Sequence, residues 1–423
     1  MSVIIKKITT ALDRIDQNNT IWIAFSGGID SAVLLHAVTS VAKDTGHTVK
    51  AIHIDHQIHK DSKEWSEFCK NQCRILSVFY RSISVELKYV SELGVEGSAR
   101  IARYQAFEDI LESEDILLTA HHADDQVETI LLQLFRGAGV QGLTGCAMQR
   151  DLGKAQMLRP LLEVSRQQIE EYAKSYELSW LEDPSNKSIQ YDRNFLRHEV
   201  LPLINMRWHG LRETIARSSQ WQTESSYLLD RLAKQDLEFS DVLENPIPIK
   251  KLKCLDSTSM KNALRWWMRE NKFPMPSAQI LNHIISDVIN SSQDSEACVR
   301  WQHCECRKYR NKLYLLEQLN AHDSNQMYEW NIELPLQIDS LGLTLTQEKL
   351  LEHGVKCDQL ETLLVKFRQG GETIKPRGRG CHKDLKTLFQ EASVEPWLRD
   401  RIPLLYRNES LIFVWGYWIQ EGY

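Results

Sequence analysis

The stretch Ile21–Ser31, IWIAFSGGIDS, decides what the first part of this chain becomes. Its apolar run, Ile21–Phe25, is typical of a buried strand, and the apolar residues after Ser31 recur at helical spacing. The first N–H groups of a helix have no partner within the helix, and the helix dipole favours negative charge at that end. A strand that leads through a glycine turn into a helix can therefore bind phosphate at the start of the helix. We therefore predict phosphate contacts from Ser26, Gly27, Gly28, Ile29, Asp30 and Ser31.

The kind of phosphate site follows from what the turn contains. It has no lysine and no G-x-x-x-x-G-K-[ST] pattern, which excludes a Walker A loop. SGGIDS instead resembles the PP-loop of the ATP-pyrophosphatases, which split ATP into AMP and pyrophosphate while they adenylate a substrate. The resemblance implies that ATP is bound here. An ordinary glycine turn before a helix is the alternative.

Length and composition limit the class of protein. The chain has 423 residues, enough for several domains, and a net charge of −6, so a polyanion must be met by local basic patches. Nine cysteines, an odd number, and no secretory signal favour reduced thiols in the cytoplasm. The longest apolar run, Leu411–Ile419, is too short to cross a membrane, so we expect a buried strand there and no membrane association.

Strand-like and helix-like segments alternate through the first part of the chain. The segments predicted as strands are Ile21–Phe25, Lys50–Asp55, Ser77–Ser84 and Asp115–Thr119; those predicted as helices are Ser62–Cys73, Ser98–Leu111 and Asp124–Phe135. This alternation predicts a parallel sheet with ligands beyond the carboxyl ends of its strands. It brings residues 26–31, 53–59 and 120–125 to one rim.

Two of these rim segments contain possible metal ligands. His53–His59 (HIDHQIH) could bind a structural metal, but no cysteine lies nearby, and a loop at the edge of a nucleotide is the expected alternative. The second segment, HHADDQVET (His121–Thr129), crowds carboxylates at the start of a helix. Helix capping would explain one or two of these acids. The group could also hold Mg²⁺, with Asp30 and Asp124 as predicted ligands, or deprotonate an amine; a dinuclear metallohydrolase is a further alternative.

A specific resemblance rests on several motifs in one order. They are SGGIDS, HIDHQIH, EGSARIARYQAF (Glu96–Phe107), TAHHADDQVETILLQLFRGAGVQGL (Thr119–Leu143), LRPLLEVSRQQIEEYA (Leu158–Ala173) and DPSN…YDRNFLRHEVLPLI (Asp183–Ile204). Together they resemble the bacterial tRNA(Ile)-lysidine synthase family. That family attaches free L-lysine to the 2-position of the wobble cytidine in tRNA(Ile) with a CAU anticodon, using ATP and releasing AMP and pyrophosphate, so that the tRNA decodes AUA.

The resemblance implies a fold class and a domain plan. The fold expected is α/β: an N-terminal parallel-sheet domain of the adenine-nucleotide alpha-hydrolase-like (PP-loop) type, a mostly helical middle domain and a small α+β C-terminal domain. We expect these domains over residues 1–215, 216–320 and 329–423, with the last one gripping tRNA. A homodimer is left open.

The resemblance also implies roles for individual residues. Asp30 would position Mg²⁺ across the phosphates, and Asp125 and Glu128 would hold the lysine side chain and help to deprotonate it. Arg100 or Arg103 would contact substrate phosphate or the activated base, and Asn186 and Arg197 would close over the reacting nucleotide. A solvated helix face is the alternative for the first two, and a capping Asn with a surface Arg for the others.

The rest of the chain holds fewer signals. Trp266-Trp267 is expected in a core rather than as a base-stacking platform, and Ala297–Leu316 as a hairpin around Arg310-Asn311. Residues 366–386 carry seven Lys and Arg against two acids, a flexible basic loop suited to an RNA backbone. Two other functions stay open: a PP-loop tRNA thiolase, which commonly needs a cysteine pair where this chain has only Cys146 near the acidic motif, and a non-enzymatic nucleotide sensor.

Overall fold

The computed structural model describes residues 2–58, 61–88, 90–239, 244–292, 297–355 and 362–423, and within these ranges the side chains of 90–93, 96, 185 and 187 are left aside. The chain forms two compact units, Met1–Leu228 and Leu229–Tyr423. None of the helices in these ranges combines the length and the apolar character that spanning a bilayer requires.

The first unit is built on a six-stranded sheet. Its strands are β1 Ile21–Ala24, β2 Val49–Asp55, β3 Phe79–Ser84, β4 Ile116–Leu118, β5 Gln149–Leu152 and β6 Ala155–Leu158. The spatial order is β3-β2-β1-β4-β6-β5, and all neighbours are parallel except β5 and β6. The predicted parallel sheet is thus confirmed. The antiparallel β5–β6 hairpin, which turns at Gly153 with φ of 58°, was not predicted.

Helices cover both faces of this sheet. They are α1 Val3–Leu12, α2 Ile29–Thr45, α3 Ser62–Ile75, α4 Val90–Glu108, α5 Ala123–Phe135, α6 Arg166–Ser175, α7 Asp192–Phe195 and α8 Leu201–Arg207. Helix α2 is apolar on nearly every side because it packs against the sheet and also against α1 and α6. On the other face, Phe107 and Leu111 pack on Trp22, Leu117 and Met157.

The second unit begins with a middle region of helices and a small sheet. The long helix α9, Leu211–Asp236, contains the boundary between the units; it is followed by β7 Ile247–Pro248, α10 Ile249–Lys253, α11 Ser257–Glu270, α12 Ala278–His283, β8 Cys298–Trp301, β9 Cys304–Tyr309 and β10 Lys312–Glu317. The predicted hairpin is confirmed as β9–β10, with Arg310 and Asn311 at positive φ in the turn. Trp266 and Trp267 are buried in this core, as predicted.

The C-terminal region carries two further hydrophobic clusters around a five-stranded sheet. Its elements are β11 Tyr328–Asn331, β12 Leu336–Ile338, β13 Leu343–Leu345, α13 Gln347–Glu352, β14 Thr362–Lys366, β15 Thr373–Ile374, β16 Lys383–Asp384, α14 Leu385–Glu391, α15 Pro396–Arg399, β17 Leu404–Arg407, β18 Ser410–Val414 and β19 Trp418–Ile419. The single strand predicted over Leu411–Ile419 is wrong. Gly416, with φ of 75°, turns the chain, so that β18 and β19 pair antiparallel.

The described cysteines are free thiols of unequal exposure. Cys69 and Cys73 are buried on α3, and burial raises the pKa of both thiols to about 12, whereas Cys254 and Cys381 are exposed. Because the thiolate is the reactive form, we expect a maleimide at pH 8 to label Cys254 and Cys381 within minutes and to leave Cys69 and Cys73 unmodified. Peptide mapping by mass spectrometry measures this, with protein unfolded in guanidinium as the control. Labelling of Cys69 as fast as Cys254 in the native protein would contradict the burial described here.

Candidate active site

The segment Ser26–Ser31, which is predicted to contact phosphate and is called the phosphate turn, connects β1 to α2. Its backbone conformation depends on Gly27. This glycine has φ of 85°, a conformation that L side chains rarely adopt. A Cβ at this position would lie 3.0 Å from Cys69 Sγ and 3.1 Å from Leu181 Cδ1. The Leu181 N–H also donates to the Gly27 carbonyl (2.9 Å), so the segment after α6 holds the turn from below.

Two serines complete the turn. Ser31 Oγ donates to the Gly28 carbonyl (2.9 Å) and lies 3.1 Å from Ser26 Oγ. The Gly28 carbonyl also accepts from the Ala32 N–H, which is the first hydrogen bond of α2. The N–H groups of residues 29–31 therefore have no partners inside the helix. The strand, turn and helix predicted from the sequence are confirmed, and anion binding at this turn stays a prediction.

The acidic motif forms the N-terminus of α5. His122 caps the helix: its Nδ1 accepts from the Asp124 N–H (3.3 Å), while Asp125 Oδ2 accepts from the His122 N–H (3.0 Å). Helix capping, the alternative considered for these acids, therefore accounts for one oxygen of Asp125. It leaves the other oxygen, and all of Glu128, to other partners.

Asp125 and Glu128 are joined by two arginines from later in the chain. The Glu128 side chain is fully buried, and it accepts from Arg193 Nε (2.7 Å) and from Arg197 Nε and Nη2 (2.6 and 2.9 Å). Asp125 Oδ1 lies 3.1 Å from Arg193 Nη2 and 3.4 Å from Arg197 Nη2. These charge-assisted contacts hold the two acids side by side.

The other two acids have separate arginine partners. Both oxygens of Asp30 accept from Arg166 Nη1, at 2.8 and 2.9 Å. Asp124 accepts from the backbone N–H of Arg166 (2.9 Å) and from Arg212 Nε (2.5 Å). Arg166 therefore ties the helix after the phosphate turn to the acidic motif.

His122 lies at the centre of these acids. Its Nε2 is 3.7 Å from Asp30 and 3.5 Å from Asp125. Burial by itself would lower the pKa of His122, but three carboxylates outweigh it and raise the pKa: those of Asp124, whose Oδ2 lies 3.7 Å from His122 Nδ1, Asp125 and Asp30. Burial raises the pKa of Asp30, although His122 and Arg166 oppose this shift.

The neighbouring His121 behaves in the opposite way. Burial lowers its pKa to about 3, and the positive charges of Arg159 and Arg193 add to the effect against the attraction of Asp125. Its Nδ1 lies 2.9 Å from Thr119 Oγ1. The pKa values of the two adjacent histidines are therefore shifted in opposite directions.

Three further predicted residues, Arg100, Arg103 and Asn186, have contacts of other kinds. Arg100 is exposed with its guanidinium 5.1 Å from the centre of the Tyr104 ring, and Arg103 Nη2 lies 3.4 Å from His56 Nε2. Asn186 is exposed in a short 3-10 turn, and its carbonyl lies 2.9 Å from His198 Nε2. Arg197, the fourth member of this predicted group, contacts Glu128 as described above.

The described residues contain no group of three or more His, Cys, Asp or Glu side chains arranged to hold a metal ion. In the His53–His59 segment, His53 Nδ1 lies 2.9 Å from the Phe25 carbonyl, which places that ring under the phosphate turn; His59 lies outside the described ranges. Cys146 Sγ lies 3.7 Å from Thr129 Oγ1.

Family models match three parts of the chain. A PP-loop domain matches residues 1–204, a TilS substrate binding domain residues 248–314, and a TilS substrate C-terminal domain residues 363–423. The chain is also 38% identical to the tRNA(Ile)-lysidine synthase of Coxiella burnetii over 422 residues, which span 99% of this chain and 93% of that protein. The chain belongs to the tRNA(Ile)-lysidine synthase family.

Further relatives agree with this assignment. The tRNA(Ile)-lysidine synthase of Pectobacterium atrosepticum is 36% identical over 95% of this chain and 91% of its own length. Among solved structures, the U34-tRNA thiolase NcsA from Methanococcus maripaludis with its [4Fe-4S] cluster is 16% identical, covers 52% of this chain and 78% of its own, and has a TM-score of 0.44. A likeness at that level has no bearing on function.

In this member of the tRNA(Ile)-lysidine synthase family, four site residues were not singled out from sequence: His122, Arg166, Arg193 and Arg212. One signal could have found Arg193, since it precedes Arg197 by four residues and so shares its helical face. Helix α7 continues into a π-turn over residues 196–200, an irregularity that is common at functional sites. Nothing local indicates that Arg166 and Arg212 reach acids far back in the sequence.

The predicted basic loop is partly neutralised within the C-terminal region of this family member. Glu391 pairs with Arg379 and Lys383, each at 2.6 Å, and Glu421 pairs with Lys375. Exposed pairs of this kind compete with phosphate for the same cations. The loop therefore offers less free positive charge to RNA than its composition indicates.

The phosphate turn yields a test of its geometry. We expect Gly27→Ala to raise the ATP KM at least about 10-fold, because strain of roughly 1–2 kcal/mol at positive φ and the contacts with Cys69 and Leu181 both displace the turn. The measurement is the ATP dependence of pyrophosphate release, alongside urea unfolding.

Helix α2, which follows the phosphate turn, supplies a matched control for the Gly27→Ala variant. Gly46, at the C-terminal end of α2, has φ of 78°, but a Cβ there would meet nothing within 4 Å. Gly46→Ala should show the backbone strain in urea unfolding and leave the ATP KM unchanged. Equal KM values for wild type and the Gly27→Ala variant would show that this turn does not bind the triphosphate.

Proposed function

We propose that this protein is a carbon–nitrogen ligase that joins free L-lysine to the 2-position of the wobble cytidine of tRNA(Ile) with a CAU anticodon. ATP first adenylates the cytidine oxygen and releases pyrophosphate; the lysine ε-amine then displaces AMP. The observation that carries the proposal is the pair Asp125 and Glu128, held by two arginines on the same rim as the phosphate turn. Family membership supports the same reaction.

The adenylation step needs the leaving pyrophosphate to be held. Oxygen at the 2-position of cytosine is a poor leaving group until it carries AMP. The turn at Ser26–Ser31 offers backbone N–H groups, and Ser26 and Ser31 offer hydroxyls that exchange their mutual 3.1 Å contact for phosphate oxygens. Preformed donors of this kind stabilise the charge that develops on the departing phosphates.

The transfer step needs an uncharged amine. A lysine side chain in water has a pKa near 10.4, so little free base is present at neutral pH. Asp125 and Glu128 attract the ammonium group, but Arg193 and Arg197 already balance their charge. An ammonium arriving in this pocket is therefore held less strongly than beside free carboxylates, and loss of its proton becomes easier.

Magnesium fits this site only in one mode. No cage of protein ligands exists among the described residues, but Mg²⁺ is commonly bound by one or two carboxylates together with substrate phosphates. Asp30, in the first turn of α2, suits that mode once Arg166 releases an oxygen, whereas both oxygens of Asp124 already accept from Arg166 and Arg212. Bound there, Mg²⁺ would neutralise charge on the phosphates.

The thiolase alternative has less support. Sulfur transfer of that type commonly needs a cysteine pair or an iron–sulfur cluster, and Cys146 is the one cysteine of the described residues that lies beside the acidic motif. The relatives that cover nearly the whole chain carry the name tRNA(Ile)-lysidine synthase. Lysine, not sulfur, is therefore the proposed donor.

The proposal is tested by incubating purified protein with ATP, Mg²⁺, radiolabelled lysine and a CAU-anticodon tRNA(Ile) transcript. We expect label in the tRNA and one pyrophosphate per lysine incorporated, since adenylation precedes transfer. A transcript with a CAU→GAU anticodon is the control and should accept none. Absence of lysine transfer from active, folded protein, or incorporation of sulfur from a donor, would reject the proposal.

A second experiment separates the two steps. We expect Asp125→Asn and Glu128→Gln to lower lysine incorporation about 100-fold, because each removes a group that holds and deprotonates the amine. Pyrophosphate release in the absence of lysine should fall only a few-fold. Both rates are measured on protein whose folding is checked by circular dichroism.

Asp192→Asn is the matched control for these variants. Asp192 precedes Arg193 on α7 but is exposed, with only a 3.9 Å contact to Arg136, so its neutralisation should leave both rates unchanged. Equal losses of pyrophosphate release and lysine transfer in Glu128→Gln would assign that residue to adenylation or folding instead.

A further inference from the structure

The β5–β6 hairpin contributes two arginines that the acidic pocket does not use. Arg150 lies on β5 opposite Met157, and Arg159 follows β6 at the carboxyl end of the parallel sheet. Both therefore stand on the rim that carries the phosphate turn. Neither was singled out in the sequence.

Arg159 is a buried cation without an acid. Its side chain is only 2% exposed, its Nη1 donates to the Ala147 carbonyl, and its Nη2 lies 4.0 Å from Met157 Sδ. Its Nε is buried with no hydrogen-bond partner among the described residues. Burying an unpaired charge is costly, so such a group is expected to be matched by a charge that arrives with a ligand.

Arg150 repeats this pattern nearer the surface. Its Nε is also buried without a partner in the described part of the chain. Its guanidinium lies 4.2 Å from the centre of the Tyr104 ring, which also carries Arg100 at 5.1 Å. Burial lowers the pKa of Arg150, and the nearby positive charges of Arg159 and Arg100 add to this, against Tyr104 and Glu108.

These side chains form a graded patch, which we call the hairpin–α4 patch: Arg100, Tyr104, Arg150 and Arg159. Exposure decreases along it, from Arg100 in solvent through the half-buried Arg150 to the buried Arg159. No carboxylate of the described residues forms an ion pair with any of its three arginines. The acids at the start of α2 and α5, by contrast, have arginine or histidine partners.

We propose that the hairpin–α4 patch binds a backbone phosphate of the tRNA beside the nucleotide that is modified, with Arg150 and Arg159 as positioning residues. The arginines of the patch lie against the ring of Tyr104 and lead from solvent to a buried donor. This arrangement suits an RNA strand that places one phosphate in the patch and keeps the neighbouring base outside it. In a chain of net charge −6, this local positive charge is what a polyanion would meet. The inference rests on the proposed function, because it assumes a tRNA substrate.

The test is the salt dependence of tRNA binding. For Arg150→Gln we expect the Kd of a CAU-anticodon tRNA(Ile) transcript to rise about 10-fold at 0.1 M salt. The slope of log K against log salt should become shallower by about 1, since one phosphate contact is lost. The KM values for lysine and ATP should not change. Fluorescence anisotropy gives the first two quantities and steady-state kinetics the others.

Two further variants control the charge and the fold. Lys43→Gln removes one positive charge from the last turn of α2, at the opposite edge of the sheet, and should leave the slope unchanged. Arg159→Lys keeps the charge but loses the planar fork of donors, so tRNA should bind at least about 3-fold more weakly. Thermal denaturation of each variant shows whether the fold is kept.

The outcomes separate this inference from the function on which it rests. A slope for Arg150→Gln equal to that of wild type would overturn the inference, even if wild type transfers lysine normally. A raised lysine KM with an unchanged tRNA slope would also overturn it, because the patch would then hold the carboxylate of the amino acid. A shallower slope in protein that transfers no lysine would support the patch while rejecting the proposed reaction.

Discussion

The buried carboxylate of Glu128 is the constraint on which the site depends. An ionised carboxylate without solvent is too costly to keep unless cations and hydrogen bonds replace the water. Arg193 and Arg197 supply both, through three contacts of 2.6–2.9 Å. The segment that carries them must therefore pack against α5. This requirement brings a part of the chain 65 to 69 residues away back to α5, where the helical stretch that carries Arg197 contains a π-turn.

A second constraint links the same region to the phosphate turn. Leu181 donates its N–H to the Gly27 carbonyl and places its side chain where a Cβ at residue 27 would lie. The helix that carries Arg193, α7, begins at Asp192, further along the same stretch of chain. The chain thus supports the turn at residues 26–31 and then supplies the arginines that contact Asp125 and Glu128, so one continuous stretch positions both groups of residues.

The charges of the rim divide into two kinds. Acids at the start of α2 and α5 are all compensated, with His122 between them and arginines from α6, α7 and α9 around them. Arg100, Arg150 and Arg159 lack such compensation among the residues that the structure describes. A compensated acidic pocket suits an amine that must lose its proton, whereas uncompensated cations suit a polyanion. The same edge of one sheet can therefore receive two substrates of opposite charge.

The sequence alone predicted the strand–turn–helix unit, the parallel sheet and the core position of Trp266 and Trp267, because these follow from local periodicity and from glycine at one turn. It also brought Asp30, Asp125 and Glu128 to one rim, since the ends of parallel strands must meet. It did not predict the partners of those acids or the β5–β6 hairpin, and its single strand over Leu411–Ile419 was wrong. Pairing between Asp30 and Arg166, or between Asp124 and Arg212, joins residues 136 and 88 positions apart. Only the tertiary structure decides such contacts, because charge neutralisation in a buried site depends on distance in space and leaves no periodic signal along the chain.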